Sequence, residues 1–80
     1  MRVRFYGKLA ATMGPHVDID IGMPCTVAQV RRQLIATYPG LAEMMDDKRI
    51  RPIVGDSVVA DGHQLSPIDE LEFLAPVSGG

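Results

Sequence analysis

Apolar and polar side chains alternate in two stretches near the start of the chain. Val3 and Phe5 alternate with Arg2, Arg4 and Tyr6; Val17, Ile19 and Ile21 alternate with Asp18 and Asp20. Period two marks a strand with one buried and one wetted face. The pair predicts an antiparallel hairpin. Gly7 to Pro15, with two glycines and a proline, reads as the loop between them.

The period then lengthens. Gly22 to Pro24 ends the second strand, and Thr26 stands three residues before Gln29. That is the spacing of a capping box, in which each side chain satisfies a backbone donor at a helix start. Val27, Val30, Leu34 and Tyr38 recur at helical spacing and Ile35 widens the stripe, while Arg31, Arg32 and Gln33 fall on the wet side. Tyr38-Pro39-Gly40 stops the helix, because proline lacks a donor and restricts the residue before it.

Leu41, Met44 and Met45 suggest a short apolar turn of helix, followed by an acidic corner at Asp46-Asp47. The two methionines fit either an adaptable contact surface or a gap in the core. Ile50 to Val54 reads as a strand that Pro52 sends to a sheet edge. Gly55-Asp56 and Asp61-Gly62 are turns around Ser57 to Ala60, and Ser66 to Asp69 is a loop or single turn. The last strand runs from Glu70 to Ala75, and Pro76 releases the final residues from the ladder.

This order predicts an α+β domain: a mixed four- to five-stranded sheet packed on one main helix. With the first and last strands side by side, Val3, Phe5, Leu71 and Phe73 face the helix. Parity then puts Tyr6 and Leu74 on the other face, as a docking patch.

Eighty residues make one small domain, expected over 1–76 with a flexible tail at 77–80. An apolar fraction of 46% excludes disorder. Eight basic against ten acidic side chains leave −2, with no cationic cluster interleaved with aromatics, so nucleic acid is not an expected partner. A single cysteine, Cys25, excludes an intrachain disulfide and a site of paired thiolates. Preceding the helix cap, Cys25 reads as the buried partner of Val30 in a hydrophobic staple rather than as a persulfide carrier. His16 and His63 have no ligand spacing, and Asp69-Glu70 is a polar turn. No run is long enough for a bilayer, and a signal-peptide pattern is absent, which predicts a cytoplasmic protein.

The sequence ends in Gly79-Gly80. At an average glycine content of about 7%, two at a terminus arise by chance in roughly one chain in two hundred. Such a stem holds a carboxylate out with no Cβ beside it and suits a narrow passage in another protein. The competing reading is ordinary terminal fraying.

The opening Val3-Arg4-Phe5-Tyr6, the loop to Gly14, the capped helix, the Asp61-Gly62 turn and the ending Glu72 to Gly80 resemble the small subunit of molybdopterin synthase. That is a ubiquitin-like β-grasp sulfur carrier. Its members typically end in two aromatics, two prolines, valine, a small residue and two glycines. Phe73 keeps the first aromatic, Leu74 replaces the second, Ala75 replaces one proline, and Pro76-Val77-Ser78-Gly79-Gly80 fits.

The resemblance implies a non-catalytic sulfur-donor subunit that binds no cofactor or metal itself. A ubiquitin-activating-like adenylyltransferase uses ATP to adenylate Gly80, and a sulfurtransferase supplies the sulfur of a thiocarboxylate. The large subunit, in a heterotetramer, then receives the sulfur for cyclic pyranopterin monophosphate. Gly80 is the acceptor, Gly79 gives clearance, and Tyr6, Leu74, Pro76, Val77 and Ser78 meet the partner. Two other readings share the fold: a sulfur carrier for thiamin or another thiolation route, and a docking module without sulfur chemistry.

Overall fold

The computed structural model describes residues 1–47 and 49–75. Its elements are β1 (Arg2–Tyr6), α1 (Lys8–Met13), β2 (His16–Asp18), β3 (Cys25–Thr26), α2 (Val27–Thr37), a 3₁₀ turn (Pro39–Leu41), α3 (Ala42–Met45), β4 (Arg51–Val54), β5 (Ser57–Val58), β6 (Gln64–Leu65) and β7 (Leu71–Leu74). Five strands form one mixed sheet in the order β2-β1-β7-β4-β5. The first and last strands pair in parallel at its centre, and the other pairings are antiparallel. This is the ubiquitin-like β-grasp fold, a five-stranded mixed sheet with a helix packed on it.

Alternation decides which face meets α2. Val3, Phe5, Leu71 and Phe73 are buried, together with Val27, Val30 and Leu34 from the helix. Each such side chain contributes roughly 1.5–3 kcal/mol by leaving water. Phe5 and Phe73, partners in the parallel register, stack with centroids 6.5 Å apart. The capping box forms as expected: Gln29 N–H donates to Thr26 Oγ1 (3.2 Å) and Thr26 N–H to Gln29 Oε1 (2.7 Å). Cys25 is buried ahead of the cap, and Met45 joins the core.

Five expectations need correcting. The segment after β1 is a helix, not a loop; Leu9 anchors it in the core, and its six residues lie between two glycines of positive φ, Gly7 and Gly14. β2 is shorter than its alternation suggests, although Ile19 is still buried and exchanges backbone hydrogen bonds with Met1. β7 likewise keeps only Leu71–Leu74 of the expected 70–75.

Pro52 does not mark an edge, because β4 lies between β7 and β5. Its carbonyl accepts from Val59 N–H (3.0 Å). In an antiparallel ladder the missing donor faces the same side, where β5 is only two residues long and demands little.

Arg31 is not on a wet face: its side chain is 13% exposed. It donates from Nη1 to Met45 O (2.9 Å), from Nη2 to Ile50 O (3.0 Å) and from Nε to Asp61 Oδ1 (3.0 Å), and its guanidinium lies 5.0 Å from the Phe73 ring centroid. Arg32, its neighbour, is exposed as expected. Beyond the main sheet, Cys25 and Thr26 pair with Leu65 and Gln64, closing a small second sheet at the start of α2. Among the described residues no helix is long and apolar enough to cross a membrane.

Candidate functional site

The parallel register places Val3 opposite Leu71, Phe5 opposite Phe73 and Tyr6 opposite Leu74. Both strands therefore finish at the same pole. Ala75, the last described residue, is 1% exposed although no strand contains it. Its N–H donates to the Tyr6 carbonyl (3.4 Å). Its own carbonyl lies against Gly7, where a Cβ would stand 2.9 Å from the oxygen. Gly7 has φ 66° and ψ −136°, a conformation open to glycine and strained for other residues. The point from which the chain runs on to Pro76 is thus held on both sides by the β1–α1 junction.

Beside that point the outer face of the sheet carries exposed apolar side chains among charged ones. Tyr6 and Leu74 are 44% and 41% exposed, as parity requires, while their inward neighbours Phe5 and Phe73 are buried. Leu74 is also the register partner of Arg51 on β4. Two residues along each strand, on the same face, Arg4, Glu72, Ile53 and Val58 form a row across four strands, with Val58 58% exposed. The structure therefore brings Tyr6 and Leu74 together. Pro76, Val77, Ser78, Gly79 and Gly80, and with them the expected flexible tail at 77–80, lie outside the described residues.

Cys25 sits well away from nucleophilic duty. Its Sγ contacts Met23 Sδ (3.7 Å), and burial pushes the thiol above its ordinary range, opposed by the N-terminal ammonium. His16 and His63 are exposed. Among the described residues no three His, Cys, Asp or Glu side chains converge as a metal-binding group. What the arrangement offers is two exposed apolar side chains, Tyr6 and Leu74, beside the point where Ala75 is held against Gly7.

Sequence reasoning missed Gly7 and Ala75 as parts of this site. Each was visible only as a loop residue and a substituted proline, because their contact joins positions 68 residues apart. A glycine directly after a strand that ends in an outward-facing Tyr6 was the available signal.

Two crystal structures resemble the chain over nearly its whole length. SAMP1 from Haloferax volcanii superposes with a TM-score of 0.84 at 27% identity, over 99% of this chain and 97% of that one. A crystal structure of H. volcanii small archaeal modifier protein 1 gives 0.79 at 24% identity over 95% of each chain, a likeness of fold. No curated protein matches the sequence closely enough to count as a relative. The model of the ThiS family matches residues 3–80, all but the first two of the sequence, and the chain belongs to that family of ubiquitin-like β-grasp sulfur carriers.

Proposed function

We propose that the chain is the sulfur carrier of molybdenum cofactor biosynthesis, acting in the cytoplasm as the sulfur-donating small subunit of molybdopterin synthase. An ATP-dependent adenylyltransferase joins the Gly80 carboxylate to AMP and releases pyrophosphate. Sulfide-level sulfur delivered by a sulfurtransferase attacks the acyl carbon, expels AMP and leaves a thiocarboxylate. In a heterotetramer with the large subunit, that sulfur attacks cyclic pyranopterin monophosphate, and water then cleaves the acyl–sulfur bond, leaving the sulfur on the pterin and returning the terminus as carboxylate.

The chemistry explains why a carrier is needed. A free carboxylate resists nucleophilic attack because attack adds charge to an anion already stabilised by resonance. The acyl adenylate removes that obstacle by supplying a leaving group. A thiocarboxylate is anionic at neutral pH and presents a nucleophilic sulfur, which the carrier delivers as an effectively intramolecular reactant. The observation that carries the reading is the seated Ala75 exit flanked by exposed Tyr6 and Leu74 on a ThiS-family fold.

Intact-mass analysis of the chain purified from its native cells tests it: one terminal oxygen should be replaced by sulfur. Incubating that thiocarboxylate with the molybdopterin and the thiamin thiolation partners should give sulfur transfer only with the former. If deleting Gly79-Gly80 leaves cofactor assembly undiminished, the reading fails.

The likeness to SAMP1 favours a second reading, a protein modifier. The same adenylate would then be captured by an amine of another protein. Covalent adducts that survive denaturing electrophoresis and need Gly80 would identify it.

A further inference from the structure

The carbonyl of Ala75 and the Cα of Gly7 meet more closely than any side chain permits. We propose that Gly7 is a positioning residue for the reactive terminus: its bare Cα forms a notch that seats the Ala75 carbonyl and sets the direction in which the chain leaves the sheet. The consequence for function rests on the sulfur-carrier reading; the notch itself does not.

Three observations converge. A Cβ on Gly7 would lie 2.9 Å from Ala75 O and 3.6 Å from both its carbonyl carbon and its Cβ. Two of those atoms are backbone, so the neighbour cannot relieve the contact by turning a side chain. Ala75 is fastened from the other side by its hydrogen bond to Tyr6 O and is buried at 1%, so its peptide has little room to retreat. The direction of a carbonyl fixes the plane of the next peptide, which is the first step toward Gly80. Delivery into a partner's active site is sensitive to misplacements of about 1 Å.

Gly14, at the other end of α1, separates this contact from simple backbone strain. It has φ 83° and ψ −177°, also outside the range comfortable for other residues, yet a Cβ there would meet nothing within 4 Å. Gly14→Ala therefore carries comparable strain without the collision.

The experiment compares full-length wild type, Gly7→Ala and Gly14→Ala in ATP–pyrophosphate exchange with the chain's activating enzyme. Gly7→Ala should lower kcat at least ten-fold with KM changed less than two-fold, because Tyr6 and Leu74 still dock. Gly14→Ala should stay within two-fold of wild type in both. Equal effects of the two variants, or a Gly7→Ala loss confined to KM, overturn the proposal. Two-dimensional amide spectra of Gly7→Ala should show shifts concentrated around residues 6–8 and 74–80; shifts spread through α2 overturn it. Should Gly7→Ala fail to fold, relaxation of the wild-type chain decides: the Ala75 amide should be as rigid as β7, with an order parameter near ~0.85, and a value below ~0.6 refutes the notch. An absence of exchange with the wild type itself would count against the sulfur-carrier reading, while the spectra still judge the notch.

Discussion

Replacing Arg31 by methionine should destabilise the domain by about 3–4 kcal/mol. The side chain makes two charge-assisted hydrogen bonds to backbone carbonyls, Met45 O at 2.9 Å and Ile50 O at 3.0 Å. Bonds of this kind contribute roughly 1.5–3 kcal/mol each. The stacking on Phe73 at 5.0 Å adds about 0.5–2 kcal/mol. The pair with Asp61, whose side chain is 55% exposed, adds at most ~1 kcal/mol in solvent. These terms are not additive, and water can reach part of the site once the guanidinium is gone, which brings the sum down. At about 4–8 °C per kcal/mol for a domain of this size, the melting temperature should fall by roughly 12–32 °C. Arg31→Lys keeps the charge but loses the fork, so it should recover no more than about half the difference. Urea titrations in low and in 1 M salt separate the causes. If the carbonyl fork dominates, the loss persists at high salt, where surface charges are screened within ~3 Å. A loss under ~1 kcal/mol, or one that vanishes in salt, refutes the assignment of Arg31 as the clamp between α2 and the segment joining α3 to β4.

Adjacent residues on β7 should behave oppositely: Phe73→Ala should cost about 3–5 kcal/mol of stability, whereas Leu74→Asp should change it by less than ~0.5 kcal/mol yet weaken binding to the proposed partner, the large subunit of molybdopterin synthase, measured by calorimetry. Thr26→Ala removes the acceptor for Gln29 N–H and should lower stability by about 1 kcal/mol, with Thr26→Ser close to neutral in the same thermal melts. Cys25, buried and with its thiol pushed up, should resist iodoacetamide at pH 8 until the chain unfolds; because its folded value is raised, the thiol's contribution to stability is complete below the unfolded value and lost as pH rises through the folded one, and fast labelling of folded protein would contradict the burial. The Arg49 side-chain hydrogen bond holds the Asp47 carboxyl below its ordinary value, so its contribution is present above the unfolded value and lost as pH falls through the folded one; Asp47→Asn should flatten that part of the acid titration, followed by carboxyl chemical shifts.

How much of this was legible depended on how local each signal was. The capping box needs only Thr26 and Gln29, three residues apart, and it formed as read. Parity along β1 and β7 needs only alternation, and it placed Phe5 and Phe73 inside and Tyr6 and Leu74 outside. Arg31 was misread because its partners, the Met45 and Ile50 carbonyls, are backbone atoms brought up by a distant segment. No side-chain pattern announces them. α1 was hidden by the glycines at its ends, which read as loop punctuation although Leu9 supplies an apolar anchor between them. β3 and β6 are two residues each, too short for any period to appear. Met45 was ambiguous in sequence, and its burial beside α2 resolves it as core.

The same two strands carry both the core and the candidate site, and pairing geometry makes that possible. In β1 and β7 every second residue serves the interior and the intervening ones serve the outer face, so a slip of one residue would expose Phe73 and bury Leu74 together. The hydrophobic effect on one face therefore enforces the register of the other. Parallel pairing adds the second condition. Because β1 and β7 run the same way, Ala75 leaves the sheet beside Tyr6 and Gly7; an antiparallel pairing would have delivered it beside Met1, at the opposite pole from the apolar pair. Parallel neighbours require a crossover, and the α2 helix that supplies it also covers the inner face. The element that makes the domain stable is thus the one that lets its chain end emerge next to the surface proposed to dock its partners.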